Sequence, residues 1–259
     1  MQRKSLCLTS SHPHVQQRGV ALFVVIVFVM LSMLLALWAS RTSLFNEMVV
    51  GNDADYQRAF EAAQALLQDA ELDIRSENSD GTPCVASPSC RDNQAGAFKI
   101  PQTSTEAIGL LEDLDQQTTK CANALCTKRS GRQDFWNASG AVALQPGENR
   151  LSDMTKDTVG ARYGQYTGAT VGTSTSPANP ILADRSADNQ GGWYWIEVLQ
   201  YSKKGKTSGL IVESANSNSL VDLTPQANVV YRITALAYGR KPGTVAVLQQ
   251  TYVRQTRDR

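Results

Sequence analysis

From Val20 to Ala39 the chain reads VALFVVIVFVMLSMLLALWA, twenty residues without a charge and with Ser32 as the one polar side chain. A helix of that length spans about 30 Å, the hydrocarbon thickness of a bilayer, so this segment is expected to cross a membrane. Trp38 stands at its far end, where an amphipathic ring favours the interface, and Arg41 follows. Arg3, Lys4 and Arg18 precede it, and the first forty residues hold no acid. The positive-inside rule then places residues 1–19 in the cytoplasm and residues 40–259 on the other side. A cleavable secretory signal has a shorter apolar core and small residues before the cut, whereas Leu37 and Trp38 are bulky.

The remaining 219 residues carry 22 basic and 24 acidic side chains, so no electrostatic footprint for nucleic acid is present. Both histidines, His12 and His14, lie before the apolar run. Everything beyond it lacks imidazole, which removes Ser-His-Asp and Cys-His catalysis and the commonest metal ligand. No glycine-rich phosphate loop, nucleophile elbow or helical metal motif occurs. An enzyme, a metal and a cofactor are therefore not expected. With 42% apolar residues the chain has enough to build a core.

After the membrane segment, residues 40–77 contain no proline, and Tyr56, Phe60, Ala63, Leu67, Ala70 and Ile74 recur at helical spacing. The apolar helix is thus expected to continue as an amphipathic one. Gly51, Asn52 and Asp53 are residues that can interrupt a helix, so one bent helix or two abutting helices both satisfy the pattern. Residues 78–190 are rich in Ser, Thr, Asn, Gly and Pro, with one amphipathic helix expected at Thr105–Thr118 on Ile108, Leu111 and Leu114. From Trp193 to Tyr201 alternation predicts a strand, followed by a solvated turn at Lys203–Lys206. Strands at Val229–Tyr238 and Thr244–Val253 follow, joined through GRKPG. The expected class is α+β: a long N-terminal helix, membrane-spanning then amphipathic, packed on an antiparallel sheet in a C-terminal globular head.

Cys7 falls in the N-terminal leader; Cys84, Cys90, Cys121 and Cys126 lie in the exported part, where an oxidising compartment favours disulfides. Local pairing is the simplest of three connectivities, and spacing alone does not choose among them. The spacings also miss the short pairs of a zinc site. Three smaller signals have plain readings. DRSADN at residues 184–189 offers oxygen ligands for calcium, but a solvated loop fits better. Trp193, Tyr194 and Trp195 suit sheet packing more than a stacking platform. Asn137, Ala138 and Ser139 form a glycosylation triplet common by chance.

Gln16, Gln17, Arg18 and Gly19 run directly into the apolar helix at Val20, an order that resembles the processing site of type IV prepilins and pseudopilins. MVVGNDADYQRAFEAAQALLQDAE, residues 48–71, resembles the N-terminal region of PilX-type minor pilins. YRITALAYGRKPGTVAVLQQTYVR, residues 231–254, resembles their C-terminal hairpin. The resemblance covers roughly residues 18–77 and 192–254, and it implies a division into four parts. Residues 1–19 form a leader removed by prepilin peptidase, with the cut after Gly19 and Val20 as new N-terminus. Residues 20–39 pack in the membrane and then in the filament, 40–77 continue the helix, and 78–259 form a periplasmic, disulfide-containing head. Major pilins usually carry glutamate at the fifth mature position; Val24 stands there, and K-type pseudopilins also lack that glutamate. The implied function is a minor pilin of the inner membrane that helps prime a type IV pilus and sits at or near its tip. Its implied partners are other minor pilins, a tip adhesin and the major-pilin filament, with adhesion, twitching motility, aggregation and DNA uptake all open as the behaviour served. A single-pass anchored periplasmic binding module is the alternative.

Overall fold

The computed structural model describes residues 19–85, 87–138, 143–173, 175–200 and 229–254. Residues 1–18, with Cys7 and both histidines, and Ser139, Tyr201 and the Lys203–Lys206 turn lie outside them. The chain divides into two compact units, Met1–Gly51 and Asn52–Arg259.

Helix α1 spans Val20–Arg75 and is helical throughout, Gly51, Asn52 and Asp53 included. Helix α2 spans Ser104–Asp115, and short helices α3 and α4 cover Leu151–Met154 and Pro180–Ala183. Strands β1 (Cys121–Ala122), β2 (Leu125–Cys126), β3 (Gly192–Gln200), β4 (Val229–Tyr238) and β5 (Val245–Val253) form one sheet in that order. Every neighbouring pair is antiparallel except β2 and β3, which run parallel. The sheet is therefore mixed at one margin, where antiparallel pairing alone was expected.

The local chemistry explains most of these elements. Thr103 and Glu106 form a reciprocal capping box at the start of α2. Asn179 caps α4, with Pro180 at its first turn. Between β4 and β5, the Thr244 amide donates to the Lys241 carbonyl at 3.2 Å. Pro242 and Gly243 are the central residues of that turn, and Gly243 takes the positive φ of +85° that its second position needs. The β1–β2 connection is tighter. Its two central residues, Asn123 and Ala124, have φ of +51° and +67°, the left-handed pair required by a two-residue hairpin. Ala124 holds that disfavoured geometry because its amide donates to Val159 and its carbonyl accepts from Ile196.

The amphipathic stripe of α1 differs from its expected centre. Tyr56 is 46% exposed and Phe60 is half-buried, while the buried face comprises Ala59, Ala62, Ala63, Leu66, Leu67, Ala70 and Ile74. Small alanines let the helix approach the sheet, and the same core cluster takes Tyr194, Ile196 and Val198 of β3 with Tyr231, Ile233, Ala235 and Ala237 of β4. At Gly192 any Cβ would meet the Leu66 side chain at 2.6 Å, so glycine opens the strand to the helix. In α2 the buried face is Ala107, Leu110 and Leu114 instead of Ile108, Leu111 and Leu114, because alanine again turns toward the closest contact.

Strand β3 is buried on both faces, although its alternation suggested two distinct environments. One face, through Tyr194, Ile196 and Val198, enters the core under α1. The other presents Trp193 and Trp195 to a second cluster containing Phe135, Met154 and Leu236. The tryptophans are thus core residues, and their indole N–H groups donate to the Asp188 and Met154 carbonyls.

Candidate functional site: a bare apolar helix and a carboxylate seam in the head

Along residues 20–50, every residue of α1 is exposed, including Phe23, Phe28, Leu35, Trp38 and Phe45. Between Val20 and Ala39 the one polar side chain, Ser32, donates to the Phe28 carbonyl at 2.8 Å, and just beyond that stretch Thr42 donates to the Trp38 carbonyl at 3.0 Å. With the backbone bonded within the helix, residues 20–39 offer their surroundings almost only hydrocarbon, and the polar residues Ser40, Arg41, Ser43, Asn46 and Glu47 follow. That surface suits lipid or other apolar helices and is costly in water. Val20 is the first helical residue, preceded by Gly19, and Val24 is 42% exposed one turn later.

The head is organised differently. Three aspartates fall on the buried face of α1, and each holds a different part of the chain. Asp55 accepts the amides of Arg240 at 3.0 Å and Lys241 at 2.9 Å, fastening the β4–β5 turn. Burial would raise its pKa, but those amides and the Thr244 hydroxyl outweigh it and hold the carboxyl low. Gly239 is needed beside it, since a Cβ there would come within 2.4 Å of Asp55 Oδ2.

Asp69 accepts from the Gly164 amide at 2.7 Å and from the Thr167 hydroxyl. Asp73 meets Arg91 through both carboxylate oxygens, and its Oδ2 also accepts from Tyr194 at 3.1 Å. The Arg91 guanidinium lies 3.6 Å over the Tyr166 ring and donates to the Phe98 and Asn123 carbonyls. Burial alone would lower the Arg91 pKa; the Asp73 charge reverses this and raises it. The seam ties α1 to loops too polar to be held by hydrophobic burial.

Asp69 has hydroxyl and amide donors but no cation in contact, and burial pushes its pKa up to about 6. A raised native pKa means stabilisation that is complete below about 4 and lost as pH rises through about 6. Asp69→Asn should therefore raise the unfolding temperature at pH 7, by an amount equivalent to about 1–3 kcal/mol, and flatten the profile between pH 4 and 6. An asparagine can accept from Gly164 and donate to a reversed Thr167 hydroxyl, so both contacts survive. Thermal unfolding at stepped pH in detergent checks this; an unchanged slope would show that Asp69 is ordinary.

On the far face of β3, Glu197 is fully buried between Arg129 and Arg232, one guanidinium on each carboxylate oxygen. Arg129 also covers Phe135, and Arg232 donates to Gln133 at 2.6 Å, which secures the loop before the Phe135–Asn137 turn. Burial lowers the Arg129 pKa, partly countered by Glu197.

Cys84 is bonded to Cys90 and Cys121 to Cys126, with Cα separations of 5.5 and 4.1 Å. The second closes the β1–β2 hairpin. At the DRSADN loop, Asp184 accepts from Ser186 and Asp188 pairs with Lys156, so its carboxylates are engaged locally. Among the described residues no cluster of three potential metal ligands occurs. The aspartate seam and the Glu197 pair were not anticipated; the signal was Asp55, Asp69 and Asp73 sharing one face with the alanines.

Two family profiles match the chain. The one described as type IV pilus assembly protein PilX C-term covers residues 122–254, and the PilX N-terminal profile covers residues 18–68. No curated protein and no solved structure gives a significant match.

Proposed function

Because the chain belongs to the PilX family of type IV pilus assembly proteins, we propose that it is a minor pilin that helps prime the filament and stays at or near its tip. The observation that carries this reading is the exposed apolar helix of residues 20–39, whose one polar side chain, Ser32, is satisfied within the helix. Such a surface can exchange lipid for other helices with no polar group to resolvate. In this reading residues 1–19 face the cytoplasm and are cut away after Gly19. The helix then anchors the protein singly in the inner membrane, and the disulfide-containing head stands in the periplasm.

Val24 fits an initiating subunit. A carboxylate at that depth would be costly without a charged neighbour, and an apolar side chain needs none. Other minor pilins, a tip adhesin and the major-pilin filament are the partners proposed for the head and helix. The protein contributes contacts rather than chemistry of its own.

The protein recovered from native membranes should begin at Val20 and co-sediment with sheared pili. Gly19→Ile should leave the leader attached and reduce the protein in the pilus fraction at least tenfold, by roughly the loss of a required step. Intact mass and immunoblotting of sheared pili check both points. A native chain that keeps its first nineteen residues and never enters the pilus fraction would support an anchored periplasmic module instead.

A further inference from the structure

The two margins of the sheet are treated very differently. At one, β1 is two residues long and is closed onto β2 by the Cys121–Cys126 bond. At the other, β5 runs nine residues, Val-Ala-Val-Leu-Gln-Gln-Thr-Tyr-Val, with no charge and no proline. Its pairing with β4 is continuous from Val230↔Val253 to Tyr238↔Val245, with no bulge. Among the described residues no strand pairs with its outer edge. Natural sheets usually blunt such an edge with a charge, a proline, a bulge or brevity, and β5 has none of these.

The phase of the ladder identifies the groups that turn outward. The Gly239 amide donates to the Thr244 carbonyl at 2.8 Å, and Tyr238 donates away from β5, to Gly191. Antiparallel geometry alternates bonded and non-bonded pairs from that point. The amides of Ala246, Leu248, Gln250 and Tyr252 therefore turn inward to β4, and those of Val245, Val247, Gln249, Thr251 and Val253 turn outward. The edge is about 30 Å long.

Charge then selects among strands that might use it. The uncharged run is bracketed by exposed Arg240 and Lys241 at its start and by Arg254 at its end. Lys241 and Arg254 donate to the neutral side chains of Asn52 and Gln102, which leave their charges in place, and Asp55 beneath the turn offsets one cation. A second copy added antiparallel would set Arg254 beside Arg240 and Lys241 twice over. A different chain whose uncharged strand is flanked by carboxylates would meet cations at both ends.

We propose that the outer edge of β5 is a strand-addition site for an extended segment of another protein, uncharged at its centre and acidic at its ends. Main-chain hydrogen bonds supply the affinity and the bracketing charges the choice of partner and register. The proposal goes beyond filament incorporation and is tested on the isolated full chain in detergent micelles. The probe is a synthetic peptide of about nine alternating valines and threonines closed by paired aspartates, with a lysine-closed peptide of the same core as control.

Amide exchange should slow about tenfold or more at the five outward residues with the acidic peptide, leaving the inward amides unchanged. The lysine-closed peptide should bind at least about tenfold more weakly, a difference that shrinks at high salt. Thr251→Pro removes one outward donor on an edge strand, where proline is tolerated, and should abolish the protection without moving the unfolding temperature. Should that variant not fold, Thr251→Lys keeps the ladder and charges the edge, with the same expected loss. No protection by the acidic peptide, equal binding of the two peptides, or a β5-dependent dimer of the protein alone would each overturn the assignment.

Discussion

Arg91→Met should be among the most damaging single changes in the head, lowering its stability by about 3–5 kcal/mol. The side chain is 5% exposed and its partner Asp73 is 2% exposed, so removal of the cation leaves a carboxylate in the interior with only the Tyr194 hydroxyl. The Phe98 and Asn123 carbonyls lose a shared donor at the same time, and Tyr166 loses its covering guanidinium. For a domain of this size the loss corresponds to a drop of roughly 10 °C in unfolding temperature. The pair is costly to break without being indispensable as a pair. Adding Asp73→Asn to Arg91→Met should recover part of the loss, since the second change removes the stranded charge. Thermal unfolding of the full chain in detergent, with the single and double variants side by side, decides the matter. A single-variant loss under about 1 kcal/mol would mean that water reaches Asp73.

Glu197→Gln should be comparably severe, again about 3–5 kcal/mol, and its damage should be local to one face of the sheet. One carboxylate serves two guanidiniums, and its removal leaves Arg129, 7% exposed, beside Arg232 with no counter-charge. Arg232→Gln should cost much less, because its side chain is partly solvated and Glu197 keeps Arg129. Amide exchange should rise across residues 129–137 in Glu197→Gln, where Arg129 and Arg232 hold Gln133 and Phe135, and stay unchanged along α1. Equal losses for the two variants would contradict the asymmetry in their burial.

The elements with strong periodic signals were legible before any coordinates. The apolar run from Val20, the helix near Thr105 and the strands around Trp193, Val229 and Thr244 all appear within three residues of their expected bounds. The remaining differences have separate physical causes. Tyr56 and Phe60 looked like the core face of α1, but bulk hinders close approach to a sheet, and Ala59 and Ala62 took that place. Gly51, Asn52 and Asp53 left one helix or two abutting helices open, and a single helix forms because propensity penalties of about 1 kcal/mol per residue are small beside a long helical run on either side. The β1–β2 hairpin escaped notice because two-residue strands have no period to read.

The sequence alone determined that a charge-free helix long enough to cross a bilayer leads into an α+β head without histidine, since composition and periodicity are local properties. Only the tertiary structure decided what the head's charges do. The spacing of Asp55, Asp69 and Asp73 sets them on the face of the alanines, but neither it nor the alternation around Glu197 names the groups that meet these carboxylates. Whether a carboxylate is held low, pushed up to about 6 or clamped between two guanidiniums depends on donors from distant segments: Arg240, Gly164, Arg91 and Arg129. Desolvation and pairing are properties of neighbours in space, and those neighbours exist only once the chain has folded.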